Sequence, residues 1–107
     1  PHKLRQPPPA ARRAITLAFR AKRHIFAHRY AEALEVLDAY AALSDADAAA
    51  LLLRGAVRRS ARDLDGAIAD TRAYTDHRPD DARGHRNLAD MLAQRGDIDG
   101  ALRAIEG

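Results

Sequence analysis

His24 and His28 are the chain's closest approach to a metal-binding pattern, since an i, i+4 pair shares one helix face. No cysteine is present, and no carboxylate lies near enough in sequence to complete a ligand set. His28 also falls where a helix should end. Packing at that helix end is the expected role, with no metal and no cofactor. His85 is expected to be a half-buried, hydrogen-bonded residue rather than a proton switch. Asp63 with Asp65, and Asp97 with Asp99, are paired carboxylates of the kind acid–base chemistry uses in a concave site. Both pairs stand where helices should begin, and there a carboxylate caps free backbone N–H groups and meets the positive end of the helix dipole. Ser60 has no histidine or acid partner implied by spacing, and the glycines form no phosphate-cradling loop. These residues do not make an enzyme. Arg54, Arg58, Arg62 and Arg86, set among Asp63, Asp81 and Asp90, read as mixed charge on solvated helix faces.

The composition points the same way. The chain has 107 residues and a net charge of +3, with 25 alanines and 16 arginines, both strong helix formers. A single domain of small aliphatic residues is expected. No apolar run approaches the ~20 residues needed to cross a bilayer. The first residues hold no apolar signal region, so the default expectation is cytoplasmic. Residues 1–29 carry eight Lys/Arg and no acid, whereas residues 30–107 carry ten against fifteen acids. A basic arm can bind nucleic acid. Single-strand binders interleave aromatics for base stacking, and here only Phe19 and Phe26 are available, at a helical spacing typical of a core. Nucleic acid is therefore a weak third reading.

The elements that must position these residues repeat. Ala33, Ala67 and Ala101 lie 34 residues apart, and Asp63-Leu64-Asp65-Gly66-Ala67-Ile68 is nearly restated by Asp97-Ile98-Asp99-Gly100-Ala101-Leu102. Units 14–47, 48–81 and 82–107 align without insertion, which is the mark of stacked repeats. An extended, proline-rich basic arm over 1–10 precedes the repeat region, 11–107. The spacing predicts helices over 11–27, 31–43, 48–61, 65–77, 82–95 and from 98 onward. Ser44-Asp45-Ala46-Asp47 supplies caps for the third helix. Pro79-Asp80-Asp81 ends the fourth and caps the fifth. Gly96 suits a tight turn. His28 and Arg62 occupy the same place in the other units, so their turns should be looser or strained. Ala21, Gly55 and Ala89 form one small-residue column and Ala33, Ala67 and Ala101 another. Leu17, Leu51, Leu34, Ile68 and Leu102 surround these columns, and Tyr30, Leu64 and Ile98 repeat at the turn mouths.

The unit length, the Leu51…Gly55…Ala67…Pro79 spacing and the Leu88-Ala89…Leu92…Gly96-Asp97…Ala101 spacing resemble the tetratricopeptide repeat. The resemblance covers about residues 14–107. The first unit is divergent, with His24, His28 and Asp45 at places the family fills otherwise. It implies an all-α fold, an α-solenoid of antiparallel helix pairs wound as a right-handed superhelix. The first helix of each unit would line a concave groove. Carried over residue by residue, the groove wall would be Ile15, Ala18, Lys22 and Ile25, then Ala49, Leu52, Ala56 and Arg59, then Arg83, Arg86, Asp90 and Ala93. The variant that clamps chaperone C-termini would need matching residues at Ala18, Lys22, Leu53, Arg83 and Asn87. Only Arg83 fits, which argues against that ligand.

The expected function is a protein-interaction scaffold. Its groove, apolar near Ile15, Ile25 and Leu52 and basic near Arg59, Arg83 and Arg86, would take a partner segment with apolar and acidic residues. The alternative is a non-catalytic appendage of a larger enzyme or of a transport or secretion assembly. Helix six presents Ile98, Leu102 and Ile105 as an apolar stripe, through which a homodimer is expected.

Overall fold

The computed structural model describes residues 8–43 and 48–106. These form α1 (Pro9–Phe26), α2 (Tyr30–Ala41), α3 (Ala49–Ser60), α4 (Leu64–His77), α5 (Ala82–Arg95) and α6 (Ile98–Glu106), with no strand among the described residues. The fold is all-α, and the helix ends lie within two residues of those predicted. Residues 1–7, the predicted cap Ser44–Asp47 and Gly107 lie outside the described residues. Helix α1 starts earlier than expected. Pro9 occupies its first turn, where the missing N–H costs no hydrogen bond, and Pro8 precedes it in an extended conformation.

Substantial packing joins each helix to its neighbours in the chain: α1 to α2, α2 to α3, α3 to α4, α4 to α5 and α5 to α6. Two apolar clusters result. Ala21, Ala33, Leu37 and Val57 are joined by Ile25, Tyr30, Leu34, Val36, Tyr40 and Leu53. Ala67, Ile68, Leu88, Ala89, Met91, Leu92 and Ala101 are joined by Leu64 and Ala104. Both small-residue columns are buried, with Ala21, Ala33 and Ala67 fully so. The reason is close helix approach. A Cβ built on Gly55 of α3 would stand 3.3 Å from the Ala67 carbonyl oxygen of α4, and one on Gly84 would stand 2.8 Å from the Tyr74 ring. Phe19 and Phe26, spaced like core residues, are instead 66% and 85% exposed. They lie on the α1 flank that corresponds, one unit on, to Leu53 and Ser60 of α3. Of the stripe around the columns, Leu102 is 51% exposed.

The helix breaks have the expected chemistry. The Asp63 carboxylate accepts from Gly66 N at 3.0 Å, Asp97 from Gly100 N at 2.8 Å, and Asp81 from Arg83 N at 2.9 Å. Of the two outcomes expected for the turns lacking glycine, looser or strained, the structure shows the second: they are as tight as the one containing it. His28, Arg62 and Gly96 all take positive φ, at 57°, 68° and 97°. Each turn closes with the same two backbone bonds: His28 N to Ile25 O and Arg29 N to His24 O, Arg62 N to Arg59 O and Asp63 N to Arg58 O, and Gly96 N to Ala93 O and Asp97 N to Leu92 O. This is the Schellman pattern, and at His28 and Arg62 it is held under strain. A left-handed conformation costs a non-glycine residue ~1–2 kcal/mol. Part of that cost offsets the freedom glycine adds to the unfolded chain, so Arg62→Gly should stabilise by about 0.5–1 kcal/mol. Thermal melting checks this, and a lower melting temperature would contradict it. His28→Gly should gain less, because His28 Nδ1 lies 2.9 Å from the Tyr30 hydroxyl and the two rings meet edge-on.

Candidate partner-binding face

The face assigned to the first helix of each unit is open along its length. On α1, Ile15 and Lys22 are exposed and Ala18 and Ile25 half-buried. On α3, Ala49 and Ala56 are exposed and Leu52 and Arg59 half-buried. On α5, Arg83, Arg86, Asp90 and Ala93 are all exposed. The opposite faces of the same helices carry the buried Ala21, Gly55, Val57, Ala89 and Met91. The 3.6-residue period therefore separates an accessible side from a packed side on each helix. Arg59 Nε donates to Gln94 Oε1 at 3.1 Å, so α3 and α5 present adjacent parts of one surface.

At the α1 end, Ala14, Ile15, Ala18, Phe19, Lys22 and Tyr40 enclose an open cavity of about 180 Å³. It brings together Ile15, Ala18 and Lys22 from the expected set. Tyr40 comes from α2 and was not foreseen. Its signal was its place seven residues after Ala33, two helical turns along. Ile25 serves partly as core, packed against the first apolar cluster, so it is less available to a ligand than Ile15.

At the α5 end, Arg83 already has a partner. Its guanidinium reaches Asp81 through Nε at 3.2 Å to both carboxylate oxygens and through a terminal nitrogen at 2.8 Å. The Tyr74 hydroxyl also donates to Asp81. These groups lock the start of α5 to the end of α4. Arg83, then Tyr74, then the Arg83 backbone N–H hold the Asp81 carboxyl well below the usual carboxylate range. A carboxylate with a depressed folded value stabilises the fold above its unfolded value, 3.8, and that stabilisation fades as pH falls below it. Asp81→Asn should therefore lower the melting temperature near neutral pH, and the deficit should shrink below about pH 4. An equal deficit at every pH would contradict this. Of the other basic residues on this face, Arg86 is exposed and Arg59 is half-buried against Gln94.

One group read as surface charge, Arg54 with Arg58, is structural. Asp70 on α4 is 4% exposed. It accepts from Arg54 Nε at 3.0 Å, from a terminal nitrogen of Arg54 at 2.9 Å and from Arg58 at 3.0 Å. Arg54 also reaches Asp38 of α2 at 3.2 Å. The bond to Asp70 raises the Arg54 pKa further, so its charge is permanent. His85 is half-buried, and its Nε2 donates to the Pro79 carbonyl at 2.7 Å, which pins the turn between α4 and α5. No helix among the described residues is long and apolar enough to cross a membrane. A scan against protein-family models finds no match to this chain, and a search of curated proteins finds none either.

Proposed function

We propose that the chain is a tetratricopeptide-like α-solenoid of three units that holds a partner protein segment. The ligand would lie along the exposed face of α1, α3 and α5. The cavity at Ile15, Lys22 and Tyr40 carries this reading, because it pairs apolar walls with one cation at the edge of a face that none of the described helices covers. An apolar anchor would enter there. Acidic residues further along the ligand would meet Arg59 and Arg86. Ile25, Leu52 and Asp90 would border the track, and Arg83 would keep its place in the α5 cap.

Affinity capture with the chain, set against its Leu52→Asp/Arg86→Glu variant, tests the proposal. Both positions are accessible, so the variant should keep its helix content by circular dichroism. Partners lost with the variant and displaced by a peptide of apolar and acidic residues would support the groove. Partners retained in full would refute it. The same groove would serve if the chain were an appendage of a larger assembly.

A further inference from the structure

The register of the repeat says what the outer faces of α1 and α6 fit. Within the chain, the outer face of α2 receives α3: Tyr30, Leu34 and Leu37 pack with Leu53 and Val57 in one cluster, and Asp38 pairs with Arg54 at 3.2 Å. Two units on, the counterparts of Tyr30, Leu34, Leu37 and Asp38 are Ile98, Leu102, Ile105 and Glu106 of α6. One unit back, the counterparts of Leu53 and Arg54 are Phe19 and Arg20 of α1. The places that are covered between units at the α2–α3 joint are uncovered on α1 and α6 among the described residues: Phe19 is 66% exposed, Ile98 57%, Leu102 51% and Ile105 65%.

The charges match as the shapes do. Arg20, Arg23, His24 and Arg29 surround a cavity of about 520 Å³ with Ala27 and Val36. Arg54 has Asp38 and Asp70, but Arg20 has no ion-pair partner among the described residues, and neither has Glu106. We infer that a second copy of this chain docks head to tail, its α6 on the first copy's α1, with Glu106 meeting Arg20 and Ile98, Leu102 and Ile105 covering Phe19. The joint repeats the α2–α3 contact between molecules. Arg23 stands where α3 has Val57 and α5 has Met91. It lays its stem over the apolar stripe and keeps its charge at the rim, so the contact is more polar than those within the chain and sensitive to salt. The contact is heterologous and leaves a free end on each copy, so association does not stop at two. The contact shares Phe19 with the cavity at the α1 end of the groove, so a groove ligand and a second copy would compete there, but the inference is tested without any groove ligand.

Sedimentation of the chain over a range of concentration and salt tests this. The average mass should climb past that of a dimer as concentration rises and fall back in high salt. Arg20→Glu and Glu106→Arg, both at exposed positions, should each weaken association by about tenfold or more. An equimolar mixture of the two variants should restore it, because each reversed end then finds its complement. A chain that stays monomeric at every concentration would overturn the inference. So would a dimer that does not grow and is abolished by Leu102→Glu but indifferent to Arg20→Glu. That result would assign the stripe to a symmetric contact.

Discussion

Asp70→Ala should be among the most damaging single substitutions in this chain, at about 3 kcal/mol. The carboxylate is almost wholly enclosed and accepts three hydrogen bonds from Arg54 and Arg58. Removing it strands two guanidinium groups between α3 and α4. Their side chains retain 19% and 26% exposure, so water relieves part of the cost, which keeps the figure at the low end for a broken buried pair. Arg54 also keeps Asp38. The order of damage should be Asp70→Ala, then Arg54→Ala, then Arg58→Ala, because each arginine lost leaves Asp70 with the other. Chemical denaturation checks the order. A combined Arg54→Leu/Arg58→Leu/Asp70→Ala variant should be less destabilised than Asp70→Ala alone, since no buried charge is then left unpaired, and Asp38 and Asp63, which lose their arginines, are exposed. If Asp70→Ala cost no more than an exposed substitution such as Asp65→Ala, the polar layer would not be supporting the second unit.

That layer shows where sequence reading stopped. Helices, turns and caps were legible because their signals are local: Asp63, Asp81 and Asp97 are followed within three residues by the N–H groups they cap. The packed columns were legible because the 34-residue register places Ala33, Ala67 and Ala101 alike. The Arg54–Arg58–Asp70 group was not, since partners twelve and sixteen residues apart on different helices look the same as solvated mixed charge. A signal was present. Arg54 and Arg58 occupy the register places of Leu88 and Leu92, which are 8% and 2% exposed, and two arginines at core places require an acid facing them. Of the groove residues, periodicity identified the accessible face. It could not tell that Arg83 folds back onto Asp81, because that depends on a side-chain conformation next to the helix cap rather than on spacing.

Ala67→Leu should cost about 1–3 kcal/mol, while Ala69→Leu, on the same helix, should be nearly neutral. Ala67 is fully buried and belongs to the second apolar cluster. Its carbonyl oxygen accepts from Thr71 Oγ1 at 2.8 Å and lies close under Gly55 of α3. The α3 backbone approaches the Ala67 carbonyl closely, and the cluster around Ala67 is filled by Leu88, Met91 and Leu92, so three added carbons have no open space to enter. The helices must part, and parting them stretches the Arg54–Asp70 bonds one turn away. Ala69 points to solvent, where leucine adds only exposed surface and keeps good helix propensity. Thermal melting of the two variants side by side separates register from composition, because both make the same chemical change within three residues. Ala33→Leu, at the matching place in the first unit and equally buried, should behave like Ala67→Leu. If Ala69→Leu lost as much as Ala67→Leu, the helix face assigned to the packed column would be wrong, and with it the accessible face on which partner binding is proposed.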